Sequence, residues 1–404
     1  MIESIRKQYN QLFTTEGYRS FLAALEEKYP GVVEFRIAET PVFIPRDFSR
    51  KMEETCAYII DSMMKPGFME ATARAVPAEE WTPGETAHCH CLAFDFGICR
   101  NASGELVPML IEMQGFPSLF GFQVMFPELM KEYLWMPEGY SQFMGGHSKE
   151  SFLQLLKETI VGAHAPEEVV LLEIKPHEQK TRIDFYCTTQ YLGIQPVCIT
   201  EVFSERNDLY YELNGRKIQI KRIYNRVISD ELKGRKDILD RALDFSKPWN
   251  VEWVPHPNWF YRLSKFTLPL LKHEYIPETR FLHEWKELPA DLENYVLKPL
   301  FSFAGQGVVI DVTMEDITAI KDPENWILQS KVNYADVIET PDGAAKAEIR
   351  LMYLWPEGAA RPQLAINLAR LSKGKMIGTR YNKDKTWVGG SVAMVEQDQD
   401  KLPG

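Results

Sequence analysis

Long apolar runs are missing from this 404-residue chain. No stretch reaches the roughly 18 consecutive apolar residues that a bilayer-crossing helix requires. Cysteine is also sparse. The six thiols (Cys56, Cys89, Cys91, Cys99, Cys187, Cys198) are too few for a chain of this length to form a disulfide framework, so reduced cysteines are expected. Basic residues are in deficit, 46 against 57 acidic ones, for a formal net charge of −11. That balance disfavours nucleic acid, whose phosphates need a basic face. The N-terminal MIESIRKQYNQLF lacks the apolar core and small-residue cleavage site of a secretory signal. The expectation is a cytoplasmic protein with small-molecule partners and neither nucleic-acid nor membrane ones. Internal repeats, a Walker loop, a dinucleotide fingerprint and a Ser or Cys nucleophile motif are all absent. The HCHC tract at residues 88 to 91 reads as a strand rather than a zinc site. Adjacent strand residues face opposite ways, and no second Cys or His pair stands at zinc spacing.

What is present is an ordinary globular composition, 45% hydrophobic and 25% charged. Residues 1–80 read as mainly helical, with SFLAALEEKY and KMEETCAYIIDSMM at helical spacing and an extended EFRIAETPVFIP between them. Residues 81–150 contain HCHCLAFDFGI, the turn NASGEL and VPMLIEMQ, the pattern of a β-hairpin. Residues 151–255 alternate helix and strand (SFLQLLKETIVG, EEVVLLEI, PVCITEV), as a small α/β lobe with a parallel sheet does. Residues 256–404 open with SKFTLPLLKHEYIPETRFL, read as a helix running into an extended segment.

Two features of this pattern need a chemical reason. Glu112 and Gln114 stand two apart in the apolar run VPMLIEMQGF, on one face of a strand, and a lone buried carboxylate costs several kcal/mol unless something meets it. Asp95, on the preceding strand of the hairpin, would lie close by. Farther on, NYVLKPLFSFAGQGVVIDV places Lys298 at the end of a strand, then a loop with Ser302, Gly305 and Gly307, then a second strand. Glycine amides can approach phosphate oxygens, with the lysine adding charge at the rim.

The order of these elements resembles the ATP-grasp family: Lys265 in RLSKFTLPLL, then Pro277-Glu278-Thr279, then Val296-Leu297-Lys298-Pro299 with its Gly-bearing loop, then a hinge strand carrying Gln329. The carboxylates lie upstream of the lysine loop, as in the circularly permuted members similar to the synthetase domain of glutathionylspermidine synthetase. NKDKTWVGGS, with Arg350, Asn367 to Arg370 and RIYNR, resembles a second permuted group linked to peptide-like ligation. The matches span roughly residues 85 to 395. Two positions depart from the pattern. Gln114 replaces an asparagine, and Ala93 stands where the synthetases carry an arginine, which implies a different substrate.

The resemblance implies an α+β, circularly permuted ATP-grasp fold with a small pre-ATP-grasp-like α/β lobe and an N-terminal helical region. It implies ATP and Mg²⁺ as cofactors, and an ADP-forming ligase joining a small-molecule or peptide carboxylate to an amine through an acyl phosphate. Asp95, Glu112 and Gln114 would be metal ligands. Lys265, Lys298, Ser302, Gly305, Gly307 and Gln329 would bind ATP. Arg350 and Lys298 would be catalytic, and Ser118, Arg370, Asn382 and Lys383 would face substrate or phosphate. The alternatives are a catalytically silent nucleotide-binding regulatory module and a small-molecule kinase.

Overall fold

The computed structural model describes residues 1–301, 307–374, 377, 382 and 384–397. Ser302, Gly305 and Lys383 therefore lie outside the described residues.

The chain opens with helices α1 (Glu3–Leu12) and α2 (Thr15–Lys28), the second capped by the Thr14 side chain on the Gly17 N–H. Strand β1 (Val42–Ile44) leads into α3 (Arg46–Met63), whose Phe48, Met52, Cys56, Ile59, Ile60 and Met63 form one buried stripe at helical spacing. The expected hairpin follows as β2 (Cys91–Arg100) and β3 (Leu106–Gln114). Asn101 builds its turn by accepting from the N–H groups of Ser103 and Glu105. Helix α4 (Phe120–Tyr133) comes next, then α5 (Lys149–Ile160), which starts in a capping box at Ser148.

The α/β segment supplies β4 (Val169–Glu173), α6 (Arg182–Leu192), β5 (Gln195–Cys198), β6 (Arg222–Asn225) and β7 (Glu252–Val254). These strands form an all-parallel sheet in the order β7-β6-β4-β5, with a three-stranded meander over residues 203–220 beside it. Strands β8 (Thr279–Phe281), β9 (Tyr295–Pro299) and β10 (Trp326–Ser330) make a small antiparallel sheet with β10 in the middle. The last strands are β11 (Lys346–Leu354), β12 (Gln363–Ser372), β13 (Gly389–Ser391) and β14 (Ala393–Glu396).

The central sheet runs β13-β12-β11-β2-β3, so the early hairpin is completed by strands from the last quarter of the chain. β14 pairs in parallel with β1, tying the N-terminal stretch to the C-terminal one. Nearly every residue of β2 is buried, because one face packs on the main core and, on the other, Cys91 joins a second core cluster while Asp95 lies under Arg350 and Arg370.

Three local expectations differ. SKFTLPLL is not an α-helix but a six-residue 3-10 segment, Lys265–Leu270, with Pro269 removing a donor inside it. The strand after the glycine loop contributes one bridge, Val309 to Leu297, and no ladder among the described residues. In HCHC only Cys91 belongs to the strand; His90 Nε2 instead lies 2.7 Å from Glu357 Oε1. All six cysteines are free and buried. No helix among the described residues is long and apolar enough to cross a membrane.

Candidate functional site

A cavity of about 1450 Å³ lies where the central sheet, the parallel sheet and the Lys265 segment face one another, larger than the roughly 300–1,000 Å³ of most ligand pockets. Its described lining carries eight lysines and arginines against six carboxylates, in a chain whose formal net charge is −11. The positive balance inside an acidic protein suits an anionic ligand.

The wall from the central sheet follows from register. Arg350, Asp95 and Glu112 are directly paired across β11, β2 and β3, while Ala93 pairs with Gln114. A bulge at Ile111 interrupts β2–β3 beside Glu112, so that Phe96 faces Leu110. Glu112 and Gln114 both line the cavity. Gly115 ends the strand at a close approach where a Cβ would lie 2.4 Å from the Trp259 carbonyl oxygen.

Asp95 is 2% exposed and does not line the cavity. Arg350 grips it with two hydrogen bonds of 2.6 Å, and Arg370 adds a third of 2.8 Å. Burial raises the Asp95 carboxyl, but the two guanidinium groups outweigh it and the net shift is downward. Arg350 also donates to Ser118 Oγ (3.1 Å), and Arg370 pairs with Glu348 (3.0 Å). Glu348, buried and raised by that burial, accepts from the Tyr334 hydroxyl.

Two lysines approach from the other side. Lys265 lines the cavity and is buried; desolvation lowers it, with Glu112 and then Asp230 opposing. Lys298, on β9, donates to Gln329 Oε1 at 2.6 Å and reaches toward the carbonyl of the bulged Ile111 at 3.4 Å. Desolvation pushes Lys298 down to about 8 against the attraction of Glu112. Gln329 is buried and donates to Thr279 Oγ1, so it orients Lys298 through its own anchored amide. Gly307 has a φ of 72°, in the left-handed region, and a Cβ there would press on Pro299 at 3.0 Å. Asn382 lines the cavity and bonds Ser372 and the Lys373 N–H.

Of the residues singled out in the sequence, Glu112, Gln114, Ser118, Lys265, Arg350, Arg370 and Asn382 share this cavity. Lys298 and Gln329 stand behind its wall.

Sequence reasoning did not single out Arg226 or Glu173. Both lie at the carboxyl ends of parallel strands, the edge where open α/β sheets place ligands. Arg226 is buried and donates to the Ser118 carbonyl (2.9 Å). The RIYNR motif was visible, but only the sheet order brings its last arginine beside Glu173. Burial pushes Glu173 up to about 8, with the Ile174 N–H and Arg226 opposing. A carboxyl raised in this way stabilises the fold at low pH, and that contribution disappears as pH rises through about 8. Glu173→Gln is therefore expected to flatten the decline in stability between its unfolded value near about 4.3 and that point, and to gain on the order of 2 kcal/mol over wild type at alkaline pH. Urea unfolding at pH 5, 7 and 9 measures this.

Magnesium takes oxygen ligands and commonly keeps water or phosphate oxygens among them. Glu112 and Gln114 offer a carboxylate and an amide oxygen on the cavity wall, a donor pair that fits an ion shared with phosphate. Asp95 is poorly placed as a third ligand in this arrangement, since both its oxygens accept from guanidinium groups and it lies behind the cavity wall. No group of three or more His, Cys, Asp or Glu among the described residues is arranged to hold a metal.

No protein-family model matches the chain, and no curated protein matches it in sequence. Solved structures do match. One is the apo form of a glutathione synthetase-like effector from Globodera pallida, with a TM-score of 0.60 over 96% of this chain and 98% of that one, at 11% identity. The protein thus has a mixed α+β fold of several sheets similar to that glutathione synthetase-like structure. At so low an identity the likeness concerns the fold alone.

Proposed function

We propose that this protein is an ATP- and Mg²⁺-dependent carboxylate–amine ligase with a circularly permuted ATP-grasp core. The observation that carries the reading is the convergence of Lys265, Arg350 and Arg370 on the Glu112 and Gln114 edge of one large cavity, with Lys298 just behind its wall. The permuted order is supported by the central sheet, where the hairpin of residues 91–114 pairs with strands from residues 346–372. The likeness to a glutathione synthetase-like structure agrees with a ligase architecture.

In this reading a substrate carboxylate takes the γ-phosphoryl group of ATP, giving an acyl phosphate and ADP. An amine then attacks the activated carbonyl and phosphate leaves. Charge gathers on the transferred group, so the work of the protein is positioning and electrostatic stabilisation. Lys265 and Lys298 hold phosphate oxygens and Arg350 and Arg370 meet the transferred group, with Ser302, Gly305 and Gly307 assigned to the phosphates by the resemblance alone. Glu112 and Gln114 would hold a magnesium ion, which would supply screening of the phosphate charge. Arg226 and Ser118 orient the substrate carboxylate, with Asn382 lining the same cavity; Lys383 is assigned to substrate or phosphate by the resemblance alone.

A second reading, a nucleotide-binding module without ligase activity, draws on the engagement of Asp95 by two arginines. Calorimetric titration with a non-hydrolysable ATP analogue, with and without Mg²⁺, followed by ADP release with paired carboxylates and amines, tests both. Metal-dependent binding and ADP release that needs both substrates are the expected results; binding with no release under any pair favours the silent module. Glu112→Gln is expected to weaken Mg²⁺-dependent binding by about tenfold, as loss of one charge-assisted ligand does. Unchanged metal dependence in that variant removes Glu112 from the metal site.

A further inference from the structure

Resting on the ligase reading, the geometry points to a role for Asp95 other than metal ligation. We infer that Asp95 is a positioning residue that fixes Arg350 and Arg370 on the cavity wall, leaving Glu112 and Gln114 as the protein's ligands to the cation.

The order of exposure supports this role. Across the cluster, side-chain exposure runs from 37% at Arg370 to 12% at Arg350 and 2% at Asp95. The two arginines line the cavity and the carboxylate lies behind them, out of the lining. A ligand entering the cavity meets guanidinium before it meets Asp95.

Valence leads to the same assignment. The Arg350 fork uses Nε on Oδ1 and Nη2 on Oδ2, and Arg370 takes Oδ2 a second time. Three of the roughly four acceptor positions of the Asp95 carboxylate are taken, and a divalent ion on the one left at Oδ1 would sit among two guanidinium groups. Glu112, paired directly across β2–β3 from Asp95, accepts no guanidinium hydrogen bond from the described residues; the charges that act on it are Lys265, Lys298, Arg370 and Glu348. Ala93, two residues before Asp95 on the same face, brings no charge of its own. Arg350, supplied by the adjacent strand 255 residues later in the chain, provides cationic charge to this face.

The function of the clamp is preorganisation. Arginine side chains lose substantial rotamer freedom when fixed, and a buried bidentate carboxylate takes that loss during folding rather than at the moment of reaction. Arg350 Nη1 is directed to Ser118 Oγ by the same clamp, which links the arginine wall to the turn that follows the metal-facing strand.

The test is calorimetric titration of wild type, Asp95→Asn, Glu112→Gln, Arg350→Lys and the Asp95→Asn/Arg350→Lys double variant with a non-hydrolysable ATP analogue. Each is titrated in saturating Mg²⁺ and in chelator, after circular dichroism and thermal melts have established folding. Asp95→Asn is expected to weaken binding about tenfold in both conditions, keeping the wild-type ratio between them, because it loosens arginines rather than removing a metal ligand. The double variant is expected to bind no more weakly than the weaker single one, since both changes break the same unit. Loss of metal dependence in Asp95→Asn equal to that in Glu112→Gln, or a multiplicative double variant, overturns the assignment while the ligase reading stands. Absence of analogue binding to wild type overturns both. Should Asp95→Asn fail to fold, Arg350→Lys decides alone: the apparent Mg²⁺ midpoint stays within about twofold of wild type if Asp95 is no ligand, whereas a tighter midpoint shows a freed carboxylate joining the metal.

Discussion

Replacing Lys298 by methionine is expected to lower ADP formation by about 100-fold or more, the scale on which removal of one preorganised charge at a developing anion acts. The same change is expected to make the folded protein more stable. Desolvation holds Lys298 near 8, well under the ordinary lysine value, so at neutral pH the fold carries an ammonium it disfavours. The unfolded chain keeps its proton up to about 10.4, so between those two values it binds more protons than the native state and wild-type stability rises with pH. Methionine removes both the cost and that slope. The expected gain at pH 7 is on the order of 1–3 kcal/mol, reduced by the hydrogen bond lost at Gln329. Paired measurements of turnover and urea unfolding at pH 7 and 10 check both halves. A residue that lowers stability and raises activity is what a functional site demands. Loss of stability without loss of turnover would make Lys298 a structural residue.

Arg226→Met is expected to cost about 3–5 kcal/mol of stability, the penalty for leaving buried carboxylates without their cation. Arg226 is the positive charge that faces both Asp184 and Glu173. Burial raises Asp184 to about 6 even with Arg226 opposing, and both it and Glu173 would rise further without the arginine. Their protonated forms are the ones the variant fold tolerates, so the deficit should be smaller at pH 5 than at pH 8. Asp184→Asn added to Arg226→Met should recover part of the loss, because one uncompensated charge goes with it. Denaturant titrations at the two pH values give the comparison, and an equal deficit at both would mean that Arg226 acts through packing against the rings of Phe116 and Phe185 rather than through charge.

Local pattern made several elements legible in the sequence. The stripe of α3, the Asn101 turn and the strands β2, β3 and β4 follow from periodicity and turn chemistry, which act within a few residues. Apolar spacing alone points to an α-helix at Lys265, whereas in the chain the missing donor and the ring of Pro269 limit the segment to a short 3-10 turn. The resemblance puts Gln329 on the hinge strand as an ATP-binding residue, but its bond to Lys298 depends on β9 and β10 being neighbours.

The sequence by itself determined that Asp95 and Glu112 lie on neighbouring strands of one hairpin, because alternation and the Asn101 turn act locally, whereas the bulge at Ile111 is what sets the two directly opposite each other. It also determined that Glu112 and Gln114 share a face, since side chains two apart on a strand must. Only the tertiary structure decided what each carboxylate meets. Arg350 and Arg370 come from strands that join the same sheet more than 250 residues later, and they reach Asp95 rather than Glu112 because β11, not β3, is the neighbour on that side. Arg226 and Glu173 likewise became part of the site through the order of a parallel sheet, which is set by crossover connections and core packing that no local window of sequence contains.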